Sequence, residues 1–104
     1  MDQQEYLALA DACLDYFATA LEEFDPDEVD FSAADGVLTL EFLDGTRYVL
    51  NRQAAAAQMW FAAGARAWHY DWNGSSWLND RDGHELGGCV SRAVSEKIGR
   101  TVTL

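Results

Sequence analysis

The sequence predicts an α+β fold, a two-layer α/β sandwich with N- and C-terminal helices packed on one face of a twisted antiparallel sheet of five to six strands. Three observations carry this. Apolar residues return at helical spacing near both ends of the chain, and apolar and polar residues alternate along short runs between them. Asp-Gly, Asn-Gly and lone Gly breaks separate those runs. With 104 residues, 49% hydrophobic and 12% aromatic, the chain suits one folded domain over residues 1–104 rather than a disordered acidic tail.

The first helix is expected over residues 4–24. Tyr6, Cys13, Phe17 and Phe24 return to one angle within ~20° at about 100° per residue, flanked by Leu9, Ala10, Ala20 and Leu21. Asp11, Asp15 and Glu22 fall on the opposite, solvent side. Pro26, the only proline, ends the helix and biases Asp25 towards an extended conformation. A short strand at 29–33 follows. In "GVLTLEFL", Leu38, Leu40 and Phe42 share one face and Thr39 and Glu41 the other. Asp44-Gly45 signals a two-residue hairpin, with "TRYVLNRQ" as the returning strand. "AAAA" at 54–57 is a helical turn or a connector, and "QMWFAA" is the next strand, broken by Gly64. "AWHYDW", the Asn73-Gly74 turn and "SWLND" complete the sheet, which Asp82-Gly83 closes. A second helix over 84–98 carries Leu86, Val90, Val94 and Ile98 four apart, with Gly99 as its cap. "RTVTL" is expected to lie against the core.

Charge is distributed unevenly. The net charge is −11, yet residues 1–46 hold thirteen acids and no Lys or Arg, while 47–104 hold five acids and seven bases. The segment "EEFDPDEVD", residues 22–30, has six carboxylates in nine positions. Such a field repels phosphate, which argues against nucleic acid, and attracts metal cations or a basic protein. No apolar run approaches the ~20 residues that span a bilayer, and the N-terminus lacks the basic region of a secretory signal. The expected location is cytoplasmic, without membrane contact. Cys13 and Cys89 fall at apolar helical positions and read as buried free thiols.

Familiar catalytic motifs are missing. A calcium loop starting at Asp25 would need an oxygen ligand at its fifth position, Gly at the sixth and Glu at the twelfth, where Val29, Asp30 and Gly36 stand. There is no G-x-S-x-G, no Gly-rich phosphate loop and no H-E-x-x-H. Of the two histidines, His69 reads as a strand residue and His84 as a surface residue. Four tryptophans, Trp60, Trp68, Trp72 and Trp77, fall among the strands, and most should be core. Helices on one side leave the other sheet face open. Trp60, just after the polar "NRQ", is the candidate aromatic anchor there.

"GVLTLEFLDGTRYVLNRQ", then "QMWFAA", "HYDW" and W-x-x-x-R-x-G-x-E-L, resembles the frataxin family, in particular its short bacterial, CyaY-type members. The resemblance spans essentially the whole chain. It implies binding of ferrous and ferric iron and a role in iron–sulfur cluster assembly, by docking on the cysteine desulfurase and scaffold protein. It places an acidic metal-binding ridge on Asp11, Asp15, Glu22, Glu23, Asp25, Asp27, Glu28 and Asp30. Partner contacts are implied at Asn51, Arg52, Gln53, Trp60 and His69. The chain departs from bacterial relatives at Ala18 and Thr19, where further acids are common.

Carboxylate oxygen suits iron ions, and Asp11 with Asp15 at i, i+4 presents two carboxylates on one face. Without converging His or Cys, the expected site is exposed, water-coordinated and weak, and needs no organic cofactor. The expected function is therefore a non-catalytic, iron-dependent accessory. Ferroxidase or iron-storage activity at the ridge is the alternative. The expected state is chiefly monomeric, with iron-induced oligomers as the alternative.

Overall fold

The computed structural model describes residues 1–104. Its elements run α1 (Gln3–Leu21), β1 (Val29–Ala34), β2 (Val37–Phe42), β3 (Arg47–Gln53), β4 (Gln58–Ala63), β5 (Arg66–Trp72), β6 (Trp77–Asn79) and α2 (Leu86–Ile98). The six strands form one antiparallel sheet in sequence order. Both helices bury their apolar stripes in the same core as one sheet face, as the sequence predicts. No helix is long and apolar enough to cross a membrane.

Local chemistry explains the boundaries. Asp2 caps α1, its carboxylate accepting from the Glu5 amide at 2.7 Å. The helix stops at Leu21, three residues short of the expected end. The amides of Glu22, Glu23 and Phe24 fold back onto the carbonyls of Thr19, Ala20 and Leu21, tightening the chain into 3-10-type turns before Pro26. The buried stripe of α1 is Tyr6, Ala10, Leu14, Phe17 and Leu21. It includes Leu14, which the wheel centred on Cys13 and Phe24 passes over; those two are half-buried at its flank. Likewise α2 begins at Leu86 rather than 84, because Glu85 caps it by accepting from the Gly87 and Gly88 amides.

Turn chemistry fixes the register. Asp35 and Gly36 both have positive φ (54° and 77°), making the tight two-residue β1–β2 link that only such residues adopt readily. Asp44-Gly45, by contrast, is no two-residue hairpin. Residues 43–46 form a longer loop in which the Gly45 amide bonds the Phe42 carbonyl and the Phe42 amide bonds Thr46. The alanine run resolves into a 3-10 turn, Ala54–Ala56, linking β3 to β4. The tail lies on α2 as expected: the Val102 and Leu104 amides donate to the Ser95 and Ser91 hydroxyls at 2.9 Å, and Leu104 is buried.

The pleat sends alternate residues to opposite faces. Leu38, Leu40, Leu50, Met59, Phe61 and Tyr70 point into the helix-covered core. Trp77 joins them, edge-on to Tyr6 at 6.4 Å. Trp68 and Trp72 pack half-buried at the margin of this core, so three of the four tryptophans serve the covered side.

Candidate functional site

The eight ridge acids lie on three consecutive pieces of chain and divide by what neutralises them. Asp11 and Asp15 sit one turn apart on the exposed side of α1. Arg52 reaches across from β3 to pair with Asp11. Glu28 takes a bidentate grip from Arg100, at 2.6 and 3.0 Å. That pairing holds its carboxyl below the usual range and raises Arg100 in turn. Asp15, Glu22, Glu23, Asp25, Asp27 and Asp30 have no basic partner.

Two of these six also organise the backbone. The Asp25 carboxylate accepts from the Asp27 amide at 2.9 Å, and its carbonyl accepts from the Glu28 and Val29 amides. Asp25 and Asp27 border a recess of about 640 Å³ at the end of α2, whose cations Lys97 and Arg100 are already held by Asp44 and Glu28. Asp30 satisfies the Phe31 amide at 2.9 Å, on a strand that forms the sheet edge.

No three His, Cys, Asp or Glu side chains converge closely enough to hold one metal ion together. The chemistry available is therefore that of exposed oxygen donors in a summed negative field. A hard or borderline cation would keep most of its water and exchange readily.

The open sheet face carries the second candidate surface. Asn51 pairs with Trp60 across β3–β4, Trp60 with His69 across β4–β5, and Gln53 with Gln58. The Trp60 and His69 rings stack at 4.3 Å and 15°. The Trp60 indole donates to the Gln58 side-chain oxygen at 2.9 Å. The Gln58 amide in turn donates to Asp71 and Asp80 at 3.1 and 3.2 Å. The result is a half-buried aromatic pair fixed by a polar network.

Arg52 does not belong with that face. It stands opposite Met59, on the covered side of the sheet, and its guanidinium is committed to Asp11. The pleat separates it from Asn51 and Gln53, its neighbours in "NRQ". The sequence reading also missed Gln58, Asp71 and Asp80, which hold Trp60 in place. The Q-x-W spacing was the available signal, since residues two apart share a strand face.

His84 is not a free surface residue. Its Nδ1 lies 2.6 Å from Asp82 and its Nε2 2.7 Å from the Tyr70 hydroxyl, which is itself buried. The His84 contact holds the Asp82 carboxyl below its usual range. Both cysteines are free but only half-buried. Burial pushes the Cys13 thiol up to about 12 and raises Cys89, so neither is an activated nucleophile.

Comparison with known proteins agrees across the chain. A family model described as "Frataxin-like domain" matches residues 1–100. The "Iron-sulfur cluster assembly protein CyaY" of Dechloromonas aromatica (strain RCB) is 39% identical over 105 residues, covering 100% of this chain and 99% of its own. The protein so named in Thioalkalivibrio sulfidiphilus is 41% identical over 98 residues, covering 91% and 92%. Among solved structures, frataxin from Psychromonas ingrahamii superposes with a TM-score of 0.90 at 33% identity, covering 99% and 97%. Trimeric frataxin from Saccharomyces cerevisiae, complexed with ferrous iron, gives a TM-score of 0.76 at 29% identity, covering 88% and 86%.

Proposed function

The chain belongs to the frataxin family, and from that premise we propose that it serves iron–sulfur cluster assembly as an iron-binding accessory that docks on the cysteine desulfurase and scaffold protein. The observation that carries this reading is the run of six unpaired carboxylates from Asp15 to Asp30, with no basic side chain set against any of them. Each such charge is worth only about 1 kcal/mol at contact in water, but their fields add. The sum concentrates iron ions near the surface and steers a basic partner onto it. The Trp60–His69 face, with Asn51 and Gln53 beside it, supplies the short-range contact that follows encounter.

Binding rather than turnover is the preferred activity. Oxidising ferrous iron in pairs would require carboxylates arranged around two fixed ions, and no group of donors converges on even one. Oxygen consumption with ferrous iron should therefore match that of a protein-free control. The ridge is tested by neutralising Glu22, Glu23, Asp25 and Asp27 together, as Glu→Gln and Asp→Asn. Anaerobic ferrous titration followed residue by residue by NMR should show weakened iron-induced changes, and desulfurase affinity should fall about tenfold with the fold intact. Unchanged affinity for both would overturn the proposal.

A further inference from the structure

Arg52 is seated differently from the other ion-paired arginines. Its side chain is 31% exposed, against 67% for Arg47 and 55% for Arg100, although all three hold a carboxylate. The seat is the bare backbone of the β1–β2 turn. The Arg52 amide donates to the Gly36 carbonyl at 3.0 Å. The Arg52 side chain then passes so close to the glycine that a Cβ there would lie 2.9 Å from its Cγ and Cδ, and nearer still to its Nε. Packed atoms do not approach that closely, so any side chain at residue 36 would lift the arginine off its seat.

From this seat the guanidinium crosses to α1 and meets Asp11, 41 residues away in sequence. Asp15 stands one turn further along the helix with no cation against it. Carboxylates four residues apart on a helix lie side by side and can face one cation together. Here one of the two already holds a cation built into the chain.

We propose that Arg52 is a tethered cation that shuts the α1 end of the ridge, and that Gly36 is the positioning residue that keeps it there. A divalent metal cation gains Asp11 beside Asp15 only by displacing the guanidinium. An ion pair open to water on its carboxylate side is worth little net, so displacement is reversible and cheap. The contact therefore biases cations towards the carboxylates from Glu22 to Asp30 without excluding them from α1. This gate rests on the cation-binding reading of the ridge, to which it adds an order of filling.

The test is an anaerobic titration with ferrous iron followed residue by residue by NMR, comparing the midpoint at the Asp11 and Asp15 amides with that at residues 22–30. In the parent the α1 midpoint should fall at the higher iron concentration. Arg52→Gln and Gly36→Ala should each lower it about twofold. Combining them should lower it no further than either alone, a non-additivity that a merely structural role for Gly36 would not produce. Gly64→Ala imposes similar left-handed strain (φ 64°) with no atom within 4 Å of the added Cβ, and should titrate as the parent does. An α1 midpoint unmoved in Arg52→Gln or in Gly36→Ala, or additive shifts in the double variant, would overturn the gate while leaving iron binding at residues 22–30 in place. No iron-induced change at any ridge residue, in parent or variants, would overturn the cation-binding reading and the gate with it.

Discussion

The acidic ridge and the open sheet face differ in construction, and under the proposed function they do different physical work. On the ridge, six carboxylates stand unpaired on a helix, a loop and an edge strand, with no shared geometry among them. On the sheet face, Trp60 is held by a stacked histidine and a glutamine, which is itself held by two aspartates. Charge acts over roughly 8 Å in physiological salt and tolerates disorder in its sources. Contact acts only where shapes meet, so its residues must be fixed beforehand. A surface meant to attract can be loose. One meant to fit must be built.

That contrast can be broken most forcefully at the tryptophans. Trp77→Ala, removing a ring that is 5% exposed and packed on Tyr6, should cost about 3–5 kcal/mol in urea denaturation. Trp60→Ala should cost only about 1 kcal/mol, mostly the lost stacking, while weakening assembly with the scaffold protein. Equal losses of stability would make the open face part of the core's support rather than a docking surface.

Salt sharpens the comparison next. Raising ionic strength from about 50 to about 200 mM should slow association with the desulfurase about tenfold while changing dissociation little. The same salt change should leave the Trp60→Ala defect in place, since stacking does not depend on screening. Stopped-flow or surface-binding kinetics would separate the two rates.

The smallest expected effect lies at the junction of the two regions. Arg52→Gln frees Asp11 to join the ridge, so cation binding should tighten by about twofold in calorimetry or NMR. The stability change should stay within about 1 kcal/mol, because the Asp11 side chain is half-exposed and the pair is screened. A large loss of scaffold affinity in this variant would return Arg52 to the docking face.

Both helices, the run of strands and the one-sided packing were legible because hydrophobic period and turn chemistry are local properties. Errors fell where a local signal had two outcomes. Asp44-Gly45 carried the mark of a tight hairpin, yet Gly45 closes a longer loop; Asp35-Gly36 makes the tight one. Phe24 kept helical phase after its backbone had left the helix, because the 3-10 turn before Pro26 still points it at the chain's apolar side. Trp60, singled out because it follows the polar "NRQ", does lie on the open face beside Asn51 and His69, whereas the residues that brace it lie at the start of its own strand, on β5 and beyond β6.

By itself the sequence determined the architecture and the concentration of negative charge in its first 46 residues, since both follow from order along the chain. Tertiary structure alone decided which acids remain free. Asp11 is neutralised from 41 residues away and Glu28 from 72, while the carboxylates from Asp15 to Asp27 and Asp30 are left unpaired. Electrostatic pairing depends on distance in space, and no local pattern specifies which remote side chain a fold will bring within reach.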